Sequence, residues 1–183
     1  MELKKNTFMI NNVIKSGSHD ISADGDIIVP DTKPDILKIL QLSGNSSITN
    51  REITDGKLTI DGRVDFTILY IPDTESQRVT SISSFFDFTH CITDEKIENG
   101  CYVGLDCELS RIDFQLINSR KLRIKSRSCL SFEIGTPETV EIATDTDGND
   151  NPQILKQHLC VLSAIDKKQC DFSVNEKVEL PPG

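Results

Sequence analysis

Six cysteines, three histidines and twenty-nine carboxylates are the side chains of this 183-residue chain with reactive or ligating chemistry. Their spacing decides what that chemistry could be. The cysteines are Cys91, Cys101, Cys107, Cys129, Cys160 and Cys170, and none forms a C-x-x-C pair. Zinc ribbons and dithiol redox sites therefore lack their ligand spacing. In a reducing cytosol such residues act as small hydrophobes and surface thiols. Their even number leaves oxidative cross-linking open at a later stage, with Cys91, Cys101, Cys160 and Cys170 as the candidates.

His19, His90 and His158 lie in separate segments, without a metal-like or triad-like neighbour at recognisable spacing. Each is expected to be structural or exposed. No G-x-S-x-G, phosphate loop or H-E-x-x-H occurs. The run Asp145-Thr146-Asp147-Gly148-Asn149-Asp150 offers oxygen ligands in a glycine-containing loop. An EF-hand needs glycine at its sixth position and Glu at its twelfth. Counted from Asp145, Gly148 is fourth and Lys156 is twelfth. A solvated linker is expected, not a calcium loop. The reading is of a protein with no cofactor, no metal site and no catalytic constellation.

The sharpest charge feature is the row Arg120, Lys121, Arg123, Lys125, Arg127. Alternate residues of a strand share one face, so Lys121, Arg123, Lys125 and Arg127 point the same way. Cross-strand pairing with Asp106, Glu108 or Asp113 is the structural expectation. Docking of an acidic partner is the functional one, with these four residues as candidate contacts. Nucleic acid fits poorly, because no aromatic residues interleave with the row. The net charge of −9 and pI near 4.8 also disfavour a phosphate-backbone binder.

The elements that must position these residues read as β almost throughout. Lys57 to Ile71 alternates, with Leu58, Ile60, Gly62, Val64, Phe66, Ile68 and Tyr70 on one face. Its length predicts a bend at Gly62. Asp55-Gly56 before it is a hairpin signal. Residues 102–117 change phase, from Val103, Leu105, Cys107 and Leu109 to Ile112, Phe114 and Leu116. A β-bulge near Ser110-Arg111 is required if both halves face one core. Asn118-Ser119 is read as a short hairpin loop. Leu122, Ile124, Ser126, Ser128, Leu130, Phe132 and Ile134 then share the inward phase.

One stretch departs from this pattern. Asp26-Ile27-Ile28-Val29 ends at Pro30, which cannot donate to a ladder. Asp31 or Thr32 can cap a following element, and Pro34 fits a first helical turn. Ile36, Leu37, Ile39 and Leu40 have helical spacing, so a short helix is expected near 33–41, plugging one end of a β domain. Ser43-Gly44-Asn45 would stop it. The predicted fold is all-β, a sandwich-like antiparallel domain of about nine or ten strands with that one helix. It occupies 1–143, followed by an acidic linker at 144–152 and further strands at 153–183.

Those last strands repeat the first. Shifted by 151 residues, Leu3–Pro30 lies on Ile154–Pro181 without a gap. Lys5 meets Lys156, Ile14 meets Ile165, Asp20 meets Asp171, Ser22 meets Ser173 and Pro30 meets Pro181. Ile27 and Val29 meet Val178 and Leu180, which makes Val178 and Leu180 candidate contacts for strand pairing, in their own domain or with another copy. No apolar run reaches the length of a membrane span, and Met1-Glu2-Leu3-Lys4-Lys5-Asn6 has no apolar signal core behind it, so a cytosolic start is expected.

Three blocks together resemble a known family. They are Asp26-Ile27-Ile28-Val29-Pro30-Asp31-Thr32-Lys33-Pro34-Asp35-Ile36, then Gly62 with Phe66-Thr67-Ile68-Leu69-Tyr70-Ile71, then Gln115-Leu116-Ile117-Asn118-Ser119-Arg120-Lys121. They are similar to the SPOCS domain of SipL-type spore-coat morphogenesis proteins, over roughly 20–143. The resemblance implies a non-enzymatic structural protein of the bacterial endospore surface, coat or appendage. It would act by self-assembly and contacts with other coat proteins. The alternative it implies is an adaptor that recruits a coat morphogenetic ATPase without polymerising. Family members act in the mother-cell cytoplasm and then on the spore coat. Many carry a LysM module, implicated in the ATPase contact, after tandem SPOCS units; residues 1–183 hold no LysM-like stretch.

Overall fold

The computed structural model describes residues 2–147 together with 155, 157, 158 and 160. The described residues form six long strands and no helix: β1 (Glu2–Ile28), β2 (Ile36–Thr54), β3 (Lys57–Pro72), β4 (Thr80–Thr93), β5 (Tyr102–Asn118) and β6 (Lys121–Asp147). They make two sheets, ordered β1-β6-β5 and β2-β3-β4. The all-β, sandwich-like reading is thus what the described residues adopt, with longer strands than the turn signals predicted.

The chain divides into two compact units, Asn11–Thr139 and a unit made of Met1–Ile10 with Val140–Gly183. In the second unit, Lys5 Nζ lies 3.1 Å from Glu141 Oε2, and Thr144 Oγ1 donates to the Lys4 carbonyl at 3.4 Å. The predicted linker begins within β6, which runs to Asp147. Most of 153–183, including Val178, Leu180 and Cys170, lies outside the described residues.

The unit Asn11–Thr139 holds the core. Along β3 every second residue from Leu58 to Pro72 is buried, so the predicted alternation is realised in full. Leu122, Ile124, Ser126, Ser128, Leu130, Phe132 and Ile134 of β6 are buried opposite it. Two apolar clusters fill the space between the sheets. One is built on Val29, Ile36, Phe66, Ile68, Tyr70, Ile82, Leu122 and Ile124. The other is built on Leu58, Ile60, Ile92, Ile97, Leu130, Phe132 and Ile134. Between them lies a belt of smaller residues. There Ser126 Oγ donates to the Ala23 carbonyl at 2.9 Å, and Ser46 Oγ sits 3.3 Å from Cys107 Sγ. Ser128 Oγ is buried in the same belt with no hydrogen-bond partner among the described residues.

The predicted helix at 33–41 does not form. Residues 31–33 make a turn closed by Lys33 N–H to the Pro30 carbonyl at 2.8 Å, and β2 starts at Ile36. The register of β2 on β3 slips between Ile36 and Lys38 and again between Ile39 and Gln41. Two irregularities in six residues space the apolar side chains like a helix while the backbone stays extended. Gly44, expected as a stop, lies inside β2. A Cβ there would come 3.0–3.1 Å from Leu109, Ile112 and the Asp65 carbonyl, so a bare backbone is what lets the two sheets close at this point.

The other turns follow the sequence closely. Thr54 pairs with Lys57 across Asp55-Gly56, and Gly56 takes a positive φ of 76°. The bulge required in β5 falls between Leu109 and Arg111. The β5–β6 loop is Ser119-Arg120, one residue later than predicted, since Asn118 pairs with Lys121. Gly62 carries no break in β3. The Phe88 ring occupies the place of its missing side chain, and the slip opposite it, between Ile48 and Asn50, is in β2.

Candidate interaction surface

The outward face of β6 carries the basic row, and the structure divides it in two. Lys121 Nζ and Arg123 Nε both reach Asp26 on β1, at 2.8 Å each. Arg123 and then Lys121 hold the Asp26 carboxyl down to a pKa of about 2. These two cations are therefore engaged, but by β1 and not by the acids of β5 that the sequence offered. On β5, Asp113 stands opposite Lys125 in register, yet Arg111 of its own strand takes it, with Arg111 Nε 2.6 Å from Asp113 Oδ2. Arg111 stands directly opposite Arg127. Lys125 and Arg127 are exposed and make no ion pair among the described residues. The part of the row open to a partner is thus Lys125–Arg127, with Arg111 beside it.

Arg120, the first residue of the row, does something else. It lies in the β5–β6 loop and reaches the proline corner between β1 and β2. Its Nη1 donates to Asp35 Oδ1 at 2.6 Å, and its Nη2 to Asp31 Oδ1 and the Val29 carbonyl at 3.0 Å each. Ser119 Oγ donates to Asp35 Oδ2 at 3.0 Å. Backbone bonds run alongside, Val29 N–H to the Arg120 carbonyl and Ile36 N–H to the Ser119 carbonyl, both 2.8 Å. Tyr70 O–H donates to the Pro34 carbonyl at 2.9 Å. Arg120 and Ser119 hold the Asp35 carboxyl below the ordinary carboxylate range. A forked guanidinium suits this work, since one side chain reaches two carboxylates and a carbonyl. Two of the blocks quoted above, the proline corner and the Asn118-Ser119-Arg120 turn, are thereby two halves of one clasp. Its polar groups are occupied by each other.

Two histidines from separate segments meet. His19 Nδ1 of β1 and His90 Nε2 of β4 are 2.7 Å apart, and the His19 ring also packs edge-on to Phe132. The bond joins edge strands of different sheets, with Lys15 Nζ donating to the Thr93 carbonyl at 2.9 Å along the same seam. Burial, and then the neighbouring His19, push the His90 pKa down. At 2.7 Å one of the two facing nitrogens donates and the other accepts, and the tautomers set which.

Of the cross-link candidates, Cys91 and Cys160 are exposed and Cys101 is half-buried, each a free thiol. Cys170 lies outside the described residues. Burial pushes the Cys107 thiol up, away from the reactive thiolate. Cys101 borders a shallow surface pocket of about 450 Å³ with Asn12, Glu98, Asn99 and Pro137. Among the described residues no three His, Cys, Asp or Glu side chains come together as metal ligands. No described helix is long and apolar enough to cross a membrane.

The described residues thus form a two-sheet antiparallel body with an ionic clasp and a basic row that is half engaged. Residues 35–117 match the family described as SipL, SPOCS domain, and this central part of the chain is a SPOCS domain. A match to this family suggests a sporulation-related protein. The match starts at Asp35 and ends at Ile117, so Asp31 and Arg120 of the clasp lie just outside it. No curated protein and no solved structure matches the chain.

The sequence carried a signal for the clasp, two acids in one block and an arginine in the other. It carried none for the histidine pair, whose members are 71 residues apart.

Proposed function

We propose that this chain is a non-enzymatic structural protein of the bacterial endospore surface, coat or appendage, acting through contacts with other coat proteins and with copies of itself. The SPOCS match over residues 35–117 carries the reading. That family is not known as an enzyme family, and it ties the chain to sporulation. Its place would be the mother-cell cytoplasm during sporulation and then the spore coat or surface. Exposed Cys91 and Cys160 would lock contacts once the spore surface becomes oxidising. Light scattering and electron microscopy of the purified chain, with and without reductant, test this. Concentration-dependent assembly is the expected result, and a monomer under both conditions overturns self-assembly.

The second reading is an adaptor that holds a coat morphogenetic ATPase without polymerising. The observation favouring it is the exposed Lys125–Arg127 pair, set beside Arg111 and free of ion pairs among the described residues. Like charges facing each other across strands are unfavourable alone and favourable to an acidic ligand. Charge reversal at Lys125 and Arg127 should abolish ATPase pull-down under this reading. Reversal at Lys121 or Arg123 would instead break their bonds to Asp26, and so is the wrong test.

A further inference from the structure

The seam between β2 and β5 closes at one half and stays open at the other. Ser46 meets Cys107, Arg51 Nη1 donates to the Val103 carbonyl at 2.8 Å, and Gly44 lies against Leu109 and Ile112. Beyond the bulge the situation changes. Phe114 and Leu116 stand opposite Ile124 and Leu122, which are 0% exposed, so all four point to the inner face. Phe114 and Leu116 are nevertheless 45% and 40% exposed. Ile36 N–H bonds the Ser119 carbonyl and Gly44 abuts Ile112, so residues 37–43 run beside 113–118. Leu37 and Leu40, also about half exposed, therefore border the same opening. β5 pairs with β6 on one side, and among the described residues its other edge here belongs to no sheet. An unpaired edge beside exposed inner-face apolar residues is an acceptor for an extended chain.

The chain contains a segment of matching chemistry. In Asp171-Phe172-Ser173-Val174-Asn175-Glu176-Lys177-Val178-Glu179-Leu180, the even positions are apolar except Glu176, and the odd positions are polar or charged. That alternation is the sequence pattern of a strand with one dry face. The repeat aligns it with β1, which points first to the β1 position of another copy. The structure argues against that position. The repeat puts Glu176 at Gly25, where a Cβ would lie 2.7 Å from the Phe86 ring. It puts Lys177 at Asp26, facing Lys121 and Arg123, so three cations would meet where one carboxylate now holds two. The open β5 edge has neither obstacle. Seven residues of edge, 112–118, span roughly 23 Å at strand rise, and nine residues of donor cover it. Lys38 borders the opening, exposed and without an ion pair among the described residues, and complements Asp171 or Glu179 at the donor's ends.

We propose that residues 172–180 of one copy add as a strand to the open edge of β5 in a second copy, with Phe172, Val174, Val178 and Leu180 covering Leu37, Leu40, Phe114 and Leu116. This rests on the self-assembly reading above and supplies its acceptor. The contact is head-to-tail, so each copy gives one strand and receives one.

The test uses the full chain and two variants, Leu116→Glu in the acceptor and Val178→Glu in the donor, followed by hydrogen exchange and light scattering over a dilution series. Amides of 112–118 should exchange about tenfold more slowly at associating concentration than when dilute. Each variant alone should lose association and that protection. An equimolar mixture of the two should recover a heterodimer, because one keeps its acceptor and the other its donor. Both variants must first keep the urea-unfolding midpoint of the unmodified chain; with folding so established, failure of the mixture overturns the proposal. Association with unchanged exchange at 112–118 overturns this acceptor and leaves self-assembly standing. Absence of association overturns both. Protection that ignores dilution assigns the edge to another occupant and also overturns the proposal.

Discussion

The two ends of the sandwich are closed by opposite chemistry. At one, the corner 29–36 lays Val29 and Ile36 over the first cluster, and Arg120 ties Asp31, Asp35 and Val29 together. At the other, residues 94–101 lay Ile97 over the second cluster, and backbone bonds fix them to the hairpin, Gly56 N–H to the Ile97 carbonyl at 2.7 Å and Asp94 N–H to the Gly56 carbonyl at 3.1 Å. Both ends use a fully buried aliphatic plug. Only one adds ions. The difference follows from what is being joined. The loop end ties a hairpin to the strand after it. The clasp joins Arg120 to Asp35, 85 residues away, and a long-range meeting gains more from a partner that recognises charge and geometry. Apolar burial supplies most of the stability at both ends, and the ions decide which segments meet.

That division predicts an order of effects. Ile97→Ala should be the most damaging, costing about 2–5 kcal/mol in urea unfolding, because a fully buried plug is emptied. Arg120→Lys keeps the charge and loses the fork, and should cost less than Ile97→Ala. The reverse order would mean the ionic end is held by its ions. Midway between the ends, Gly62→Val should cost about 1–3 kcal/mol, since the Phe88 ring occupies its side-chain space. Phe88→Ala should recover part of that in a double-mutant cycle, and strict additivity would refute the contact.

The two ends should also part company in acid. The Asp26 carboxyl has a folded pKa of about 2 against an ordinary 3.8. Its contribution is therefore complete above pH 4 and is lost as pH falls from there toward 2. Asp26→Asn should flatten the acid limb in that window, and an unchanged limb would remove the pair from the account. The histidine bond touches Phe132 of the other cluster. The folded pKa of His90 lies below its ordinary 6.5, so its contribution is present above that value and is lost as pH falls through it. The smallest effect follows, a drop of a few degrees in Tm between pH 7.5 and 5.5, absent in His90→Gln. An equal drop in the variant would show the pair to be passive.

Much of this architecture was legible in residue order, and the failures have physical causes. The alternation in β3 and β6 is a local pattern imposed by one buried face, so it read directly. The bulge in β5 was legible because a phase change admits no other solution with one core. The helix at 33–41 was misread because closely spaced register slips space apolar residues as a helix does. Element boundaries at Gly17 and Gly44 differ from the expected ones because both glycines resemble punctuation. Gly17 sits beneath the Phe132 ring, and Gly44 lies where the sheets approach most closely. The basic row was visible, but its division into engaged and open halves was not, since Asp26 lies 97 residues from Arg123.

The bulge between Leu109 and Arg111 has a bearing on how such a chain can vary. It makes β5 a strand that keeps count. Loss or gain of one residue there would exchange wet and dry side chains along the whole of 111–118, while a change of two would leave the phase intact. This stretch of β5 is thus not free to change length by a single residue, so variation along it is channelled into side-chain identity.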